Sequence, residues 1–239
     1  DFEYLIIDDC SPDINVVKLI ESYDDPRIRL IKNKKNLGVS NTINKALKLI
    51  KTQYVVRIDQ DDVNLPNRIA EQIGFLEKNP DIDIVCSWEY VINSNGKIIG
   101  HWKSSLDNYG SFLGYILIRI CPIWHPSIAF KTKAMIDVGG FNIEYTRAED
   151  FEVTARLAIN RYNAVVLNEF HLLQRRHDKS QSEEFSNEIE EFSRRAHQEV
   201  IEKFSTHVDV ELLGNFLRLE KGQNNIKLTK VNFNRIDAA

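Results

Sequence analysis

The sequence predicts an α/β fold, namely a Rossmann-like, mostly parallel sheet with helices on both faces, followed by a helical C-terminal extension. Over the first 90 residues, short apolar runs of strand length alternate with segments whose apolar residues recur at helical spacing. This alternation is typical of βαβ units, in which a helix crosses over between parallel strands. Beyond residue 180 the chain becomes highly charged, so we divide it into a body over residues 1–180 and an extension over residues 181–239.

The elements of the first half follow from these periodicities. Strands are predicted over residues 2–7, 27–31, 54–58 and 82–86. Helices are predicted over residues 40–51 and 66–78, and in the segment that follows residues 11–13 and ends at Tyr23. Ser11, Pro12 and Asp13 precede the first helical segment as capping residues, and Pro66 is a residue type that begins helices. The strand over residues 2–7 is a nearly continuous apolar run, which is typical of a strand buried on both faces.

The second half contains a hairpin and then shorter elements. Ser94-Asn95-Gly96 predicts a turn between strands over residues 90–92 and 98–99. Further strands are predicted over residues 127–130, 165–167 and 172–173, and helices over residues 106–118 and 149–159. Gly139 and Gly140 predict a turn before the last of these helices. The extension is predicted to form charged helices over residues 182–204 and 211–221.

Composition narrows the classes of partner. Of 239 residues, 43% are hydrophobic and 28% charged, as in ordinary globular proteins. With 31 Lys and Arg against 35 Asp and Glu, the net charge is −4, so nucleic acid is not expected as the main partner. No apolar stretch reaches the roughly 20 residues of a membrane span. Three scattered cysteines, Cys10, Cys86 and Cys121, indicate a reducing compartment, so we expect a cytoplasmic protein.

Acidic residues follow two of the predicted strands and begin one of the predicted helices. Asp8-Asp9 follow the first strand, residues 59–62 (DQDD) follow the third, and Glu149-Asp150 open a helix. In an open parallel sheet, ligands bind at the carboxyl ends of the strands. Clustered carboxylates repel each other unless a cation or donor lies among them, and such oxygen ligands suit Mg²⁺ or Mn²⁺ with a substrate diphosphate. A helix cap at Asp8-Asp9 and a solvated loop at residues 59–62 are simpler interpretations that stay open.

Several other classes of binding site and enzyme are not expected, because their motifs are absent from the sequence. There is no GxGxxG or GxxxxGK[ST] phosphate loop, so a dinucleotide-binding or P-loop site is not expected. There is no GxSxG nucleophile elbow and no HExxH zinc motif, which disfavours acyl transfer and zinc proteolysis.

A series of short motifs carries a resemblance to a known family. In order, these are residues 5–11 (LIIDDCS), 36–44 (NLGVSNTIN), 57–62 (RIDQDD) with Pro66 and Arg68, 125–127 (HPS), 139–141 (GGF), 149–150 (ED) and 176–182 (RHDKSQS). Each motif alone is weak, but the set in this order across residues 2–182 resembles glycosyltransferase family 2, which has the GT-A fold. Members of this family begin with a further strand before the Asp8-Asp9 position, so we expect the printed chain to lack that N-terminal strand.

The resemblance implies a role for each matching residue. Asp9 would accept hydrogen bonds from the nucleotide base, most often uracil, and Asp59 would contact the ribose. Asp61 would bind the Mn²⁺ or Mg²⁺ ion that bridges the diphosphate, and His177 would approach that ion from the far side. Asp150 would be the general base that takes a proton from the acceptor hydroxyl.

These roles together describe an inverting, metal-dependent, hexosyltransferase-like enzyme. It would move a sugar from a nucleotide sugar, with UDP expected, to a saccharide or lipid-linked acceptor in cell-surface polysaccharide synthesis. One base without a carboxylate nucleophile on the opposite face means single displacement with inversion. The lipid-linked acceptor implies peripheral association with the inner face of the membrane.

Other interpretations stay open at this point. The chain could be a non-catalytic nucleotide-sugar binding domain. A Mg²⁺-dependent phosphatase is disfavoured, because such enzymes carry their DxD nucleophile on the first strand and here the third strand carries it. His177 could belong to an exposed basic loop, and His125, between Trp124 and Pro126, is expected to be a packed wall residue rather than a ligand.

Overall fold

The computed structural model describes residues 2–176 and 186–205, and within them it confirms the α/β class. The strands are β1 (Tyr4–Asp8), β2 (Ile28–Lys32), β3 (Tyr54–Val56), β4 (Val63–Asn64), β5 (Ile84–Ile92), β6 (Ile98–Trp102), β7 (Ala129–Lys131) and β8 (Ala164–Arg175). The helices are α1 (Ile14–Glu21), α2 (Val39–Leu49), α3 (Arg68–Lys78), α4 (Tyr109–Leu117), α5 (Thr132–Asp137), α6 (Glu149–Ile159) and α7 (Ser186–Ser205). A 3₁₀ turn, His125–Ser127, precedes β7.

Strands β1 and β2 form a parallel pair that α1 connects. Their register runs from Tyr4 opposite Ile28 to Asp8 opposite Lys32. α1 begins after Asp13, whose side chain accepts a hydrogen bond from the backbone N–H of Asn15 at 2.9 Å. The predicted βαβ unit is therefore confirmed. Asp13 is the cap of α1, so the interpretation of Asp8-Asp9 as the helix cap is not supported.

The larger sheet has six strands in the order β3-β7-β5-β8-β4, with β6 paired to β5 beyond the end of β7. β5 and β8 run parallel over their whole length and form the centre of this sheet. β6 returns from β5 as the second strand of the predicted hairpin, and their register is broken by an irregularity near Ile92.

Strand directions are more mixed than the predicted, mostly parallel sheet. Of the six described pairings, β1–β2 and β5–β8 are parallel, whereas β3–β7, β4–β8, β5–β6 and β5–β7 are antiparallel. The antiparallel partners are mostly strands of two or three residues, which leave no periodic pattern in a sequence. The two strands predicted over residues 165–167 and 172–173 are one strand, β8, whose register with β5 shifts on either side of Trp88.

Helix α7, the described part of the C-terminal extension, packs against the body. Ala196 and Val200 are buried in the same apolar core as residues of α4 and α6. At the rim of this contact, Arg119 Nη1 lies 2.6 Å from Glu190 Oε1. Residues 211–221, where a further helix is predicted, lie outside the described residues. Within residues 2–176 and 186–205, no helix has both the length and the apolar composition that a bilayer crossing needs.

Candidate active site

The acid loop, which we define as residues 59–62, lies between β3 and β4, and each of its acids has a different environment. Asp59 Oδ1 forms an ion pair with Arg57 Nη2 at 2.7 Å, and both side chains are partly exposed. Burial, followed by the nearby charges of Asp59 and Asp61, raises the pKa of Asp62 to about 6, against the opposing effect of a backbone hydrogen bond. The loop therefore combines a paired acid, Asp59, with a partly buried one, Asp62, whose pKa is raised.

Arg175, the last residue of β8, fixes the backbone of the acid loop. Its Nε donates to the carbonyl oxygen of Asp61 at 2.9 Å, and its backbone N–H donates to Asp62 Oδ1 at 2.8 Å. Its Nη1 donates to the carbonyl oxygens of Asn93 and Ser94 at 3.1 Å. One side chain thus ties the acid loop to the β5–β6 hairpin, and it holds Asp61 through the main chain rather than through the carboxylate.

Arg68, the first residue of α3, forms hydrogen bonds to residues on both sides of the acid loop and to the 3₁₀ turn. It is only 1% exposed, and burial lowers its pKa to about 10. Its guanidinium donates to Asn64 Oδ1 at 2.5 Å and to the carbonyl oxygens of Arg57 and Pro126 at 2.7 and 3.0 Å. A buried charge of this kind is tolerated because several acceptors satisfy it. Here the hydrogen bonds of the guanidinium connect the end of β3 to the 3₁₀ turn.

The first turn of α6 carries the predicted base. Asp150 is exposed, and its Oδ1 accepts a hydrogen bond from the backbone N–H of Phe151 at 2.7 Å. Neighbouring Glu149 is more buried, and this burial together with the charge of Asp150 raises the pKa of Glu149. Carboxylates in a first turn are favoured by the helix dipole. Of the two, Asp150 is the carboxylate that faces solvent.

His125 is a packed residue next to this helix, as predicted. It is 4% exposed, and its Nε2 lies 3.0 Å from Thr154 Oγ1 on α6. Burial lowers its pKa to about 4, with Asp150 opposing that shift. The imidazole is therefore neutral at neutral pH.

Arg57 binds the acid loop and lies within electrostatic range of the start of α6. Besides pairing with Asp59, its charge opposes the raised pKa of both Asp62 and Glu149, and it contributes to the lowered pKa of His125. The guanidinium therefore contacts the acid loop, and its charge acts on the first turn of α6 as well. Sequence reasoning did not assign Arg57 a role, although the residue lies in the matching RIDQDD stretch.

Asp9 lies in a separate network at the end of β1. Its Oδ1 accepts from Asn33 Nδ2 at 2.7 Å and from Leu37 N at 2.9 Å, and its Oδ2 accepts from Gly38 N at 2.8 Å. Burial alone would raise the pKa of Asp9, but these hydrogen bonds outweigh it and the pKa is lowered. Asp9 is thus an ionised carboxylate that shapes the loop before α2.

Asn44 connects α2 to the turn that precedes α6. Its Nδ2 donates to the carbonyl oxygen of Phe141 at 2.7 Å, and its Oδ1 accepts from Phe141 N at 2.8 Å. Gly140 has a φ of +72°, and a Cβ atom there would lie 2.4 Å from Asn44 Oδ1. The Gly139-Gly140-Phe141 motif is therefore explained by a left-handed turn and by a close approach that excludes a side chain.

The remaining predicted metal ligand, His177, lies outside the described residues. A different His and acid cluster is present: Glu71 of α3 with Glu169 and His171 of β8, whose ligand atoms lie within 4.8 Å of one another. His171 is 3% exposed, and its Nε2 lies 2.6 Å from Glu71 Oε2. That hydrogen bond explains why the His171 ring faces the two acids. The cluster contains no residue of the acid loop, so it is separate from the predicted metal ligands Asp61 and His177.

Glu89 is a buried acid that sequence reasoning missed. It lies in the middle of β5, is 0% exposed, and neither carboxylate oxygen accepts a hydrogen bond within the described part of the chain. Burial raises its pKa to about 7, and the charges of Asp62 and Asp59 add to this effect while Arg68 opposes it. The only signal in the sequence is an acid inside an otherwise apolar and aromatic strand.

We expect Glu89→Gln to flatten the dependence of stability on pH. A carboxyl whose pKa is raised on folding binds its proton more tightly in the folded state, so its contribution is fully present below about pH 4.5 and is lost as the pH rises through about 7. A shift from about 4.5 to about 7 corresponds to roughly 3 kcal/mol. Urea unfolding of the wild type and of Glu89→Gln between pH 5 and 8 measures this difference.

The exposed Glu77 of α3 supplies a matched control for that measurement. Glu77→Gln removes the same charge from the surface and should leave the pH profile of the wild type unchanged. An unaltered slope in Glu89→Gln would mean that Glu89 is ionised in the folded protein at every pH tested.

Comparison with protein families matches most of the body of this chain to one family. The sequence model of glycosyl transferase family 2 matches residues 1–141. The match spans β1 to the Gly139-Gly140-Phe141 turn and includes the acid loop, and it agrees with the resemblance carried by the sequence motifs.

Two relatives show how far the similarity extends. An uncharacterized glycosyltransferase of Methanocaldococcus jannaschii is 30% identical over 172 residues, which cover 71% of this chain and 59% of that protein. The UDP-Gal:alpha-D-GlcNAc-diphosphoundecaprenol beta-1,3-galactosyltransferase of Escherichia coli is 33% identical over 131 residues, which cover 54% of this chain and 46% of that protein. The chain thus spans about half the length of the curated relatives it matches.

A solved structure shares the fold. S. aureus TarS 1–349, determined in complex with UDP-GlcNAc, superposes with a TM-score of 0.59 at 19% sequence identity, covering 75% of this chain and 51% of that one. The likeness supports the GT-A type fold that the sequence resemblance implies.

Proposed function

The chain belongs to glycosyl transferase family 2, and on that premise we propose that it transfers a sugar, with inversion, from a UDP-sugar to a saccharide or lipid-linked acceptor. The observation that carries the proposal is the arrangement around Arg57. This guanidinium pairs with Asp59 of an acid loop suited to a diphosphate-bound cation, and its charge also acts on Glu149, the neighbour of the solvent-facing carboxylate of Asp150.

The donor is proposed from residues at the two carboxyl strand ends. Asp9 would bind the base, because it is an ionised, partly exposed hydrogen-bond acceptor at the end of β1. Asp59 would contact the ribose. UDP is favoured because the Escherichia coli relative is named for UDP-Gal and TarS was crystallised with UDP-GlcNAc.

The acid loop fits a divalent cation. Arg175 binds the carbonyl oxygen of Asp61 and Oδ1 of Asp62, and these hydrogen bonds fix the course of the loop. Asp61 and His177 would hold Mn²⁺ or Mg²⁺, which prefer oxygen ligands and few protein donors. When bound, such an ion supplies positive charge to the departing diphosphate.

Asp150 would be the general base. The acceptor hydroxyl attacks the anomeric carbon as the bond from that carbon to the diphosphate oxygen breaks, and the hydroxyl proton passes to the Asp150 carboxylate. A carboxylate within hydrogen-bonding reach can accept this proton as the new bond forms. Because the attack comes from the face opposite the leaving group, the product has inverted configuration.

The acceptor is proposed to belong to surface-polysaccharide synthesis. The Escherichia coli relative is named for an acceptor linked to diphosphoundecaprenol. An acceptor of this kind is held in a membrane, so the enzyme would work in the cytoplasm at the inner membrane face. The single displacement and the role of Asp150 do not depend on which saccharide the lipid carries.

Binding and turnover by the full-length protein test the proposal. UDP and a panel of UDP-sugars, each with and without Mn²⁺, should raise the melting temperature, since a ligand at 100 times its dissociation constant stabilises by about 2.7 kcal/mol. Release of UDP from a UDP-sugar, accelerated by an acceptor, should follow. Binding without any release of UDP would favour the non-catalytic binding domain. The absence of a shift with every UDP-sugar, measured against GDP and ADP controls, would contradict the donor assignment.

A further inference from the structure

We propose that His125 is a positioning residue that sets the location of the Asp150 carboxylate by bracing the first turn of α6. This inference rests on the proposed function, because it assigns His125 to the same transfer step. His125 itself touches neither donor nor acceptor in this scheme, and its effect on the reaction passes through Asp150.

The turn that carries His125 is itself held firmly. Arg68 Nη2 donates to the carbonyl oxygen of Pro126 at 3.0 Å, and Gln72 Nε2 donates to the carbonyl oxygen of Ser127 at 2.7 Å. Arg68, Gln72 and Ser127 are all essentially fully buried. The imidazole therefore projects from a backbone segment with little freedom to move.

The ring contacts α6 one turn after Asp150. Nε2 lies 3.0 Å from the hydroxyl of Thr154, which is fully buried and follows Asp150 by four residues, on the same face of the helix. The charge of Asp150 opposes the lowered pKa of His125, so the ring also lies near the carboxylate. Phe141 packs against the ring edge-to-face, with centroids 6.0 Å apart, and restricts its orientation.

Helix α6 needs such a brace because it begins without a side-chain cap. Its N-cap residue, Ala148, has a left-handed backbone with φ 53°, and no side chain there accepts a hydrogen bond. The adjacent carboxylates Glu149 and Asp150 repel each other in the same turn. The first turn therefore depends on the hydrogen bond from Phe151 N–H to Asp150 Oδ1 and on contacts from neighbouring elements, and a shift of this turn would move the carboxylate away from the attacking hydroxyl.

The imidazole supplies position rather than charge. It is neutral at neutral pH because it is buried, so its replacement should alter the geometry of Asp150 without changing the net charge of the site. Small displacements of a catalytic group can cost about 100-fold in rate. Replacement of a core residue with a purely structural role would instead lower the free energy of unfolding and reduce donor binding together with transfer.

A double-mutant experiment in the full-length protein separates these cases. His125→Phe keeps an aromatic ring in the site but removes the hydrogen bond to Thr154, and we expect kcat for transfer to fall at least tenfold while the KM for the UDP-sugar stays unchanged. His125→Gln, whose amide can reach Thr154, should recover part of that loss. In the Asp150→Asn background, His125→Phe should cost nothing further, because residues that act as a unit are non-additive.

Thr154→Val provides a second variant if His125→Phe folds poorly. It replaces the hydroxyl with a methyl group, and we expect a smaller fall in kcat that is likewise absent in the Asp150→Asn background. Equal losses in both backgrounds, or a rise in donor KM matching the fall in kcat, would overturn the inference while leaving the proposed function intact. Near wild-type transfer by Asp150→Asn alone would instead overturn both the base assignment and this inference.

Discussion

Asp61→Ala should abolish the Mn²⁺-dependent part of UDP binding while leaving the fold intact. The backbone of residue 61 stays anchored by Arg175, whose Nε bonds the carbonyl oxygen, so the loop should keep its course without the side chain. Loss of the carboxylate removes the proposed oxygen ligand of the ion. With UDP at 100 times the wild-type dissociation constant in Mn²⁺, the stabilisation of about 2.7 kcal/mol should fall to the metal-free level. Thermal unfolding with UDP, with and without Mn²⁺, measures this.

The neighbouring acid offers a matched control. Asp62→Asn changes one carboxylate of the same loop, but its amide oxygen can still accept the hydrogen bond from the Arg175 backbone. Because Asp62 is partly buried and its Oδ1 is bound by the Arg175 backbone, we expect this variant to retain metal-dependent UDP binding. If Asp61→Ala instead binds UDP with the metal dependence of the wild type, Asp61 is not the ligand.

The elements that could be predicted from the sequence are those with a local cause. Asp13 caps α1 because its side chain satisfies a nearby backbone N–H, and this requires only neighbouring residues. The Ser94-Asn95-Gly96 turn works in the same way, since Gly96 adopts a φ of +79° that suits glycine. Such signals lie within a few residues of one another, so they can be read directly from the chain.

Elements that depend on distant partners could not be predicted. β4 has two residues and exists because Val63 and Asn64 pair with Leu173 and Leu172 of β8. β8 continues past Asn168 and Glu169, where its register with β5 shifts, because the residues from Phe170 to Arg175 pair with β5 again. Hydrogen bonding with a neighbouring strand overrides local preference in a sheet, and the sequence does not state which strands are neighbours.

The same distinction between local signals and distant contacts applies to the residues of the candidate site. Its acids could be found because carboxylates concentrate where strands end and helices begin, as at residues 59–62 and at Asp150. The basic residues that organise them could not, because Arg57, Arg68 and Arg175 act on groups brought near by folding. Arg68 bonds a carbonyl oxygen 58 residues away, and Arg175 bonds one 114 residues away.

The second large effect is expected on the rate of sugar transfer, when the proposed general base Asp150 is replaced. Asp150→Asn keeps the size of the side chain and an oxygen for the Phe151 N–H, but an amide does not accept a proton from the acceptor. Transfer by the full-length enzyme should therefore fall by roughly 10²–10⁴-fold, the usual contribution of general base catalysis. Donor binding should change little, since Asp150 is assigned to the acceptor hydroxyl. Single-turnover transfer and UDP titration on the same preparation measure the two quantities separately.

Glu149→Gln is the matched control, because it alters the adjacent carboxylate in the same helical turn. Glu149 is the more buried of the two, and its raised pKa makes it the carboxyl that holds a proton more readily. A base must be ionised and able to reach the attacking oxygen, so Glu149→Gln should reduce transfer much less than Asp150→Asn. If Glu149→Gln causes the larger loss and Asp150→Asn retains near wild-type transfer, the proton goes to Glu149.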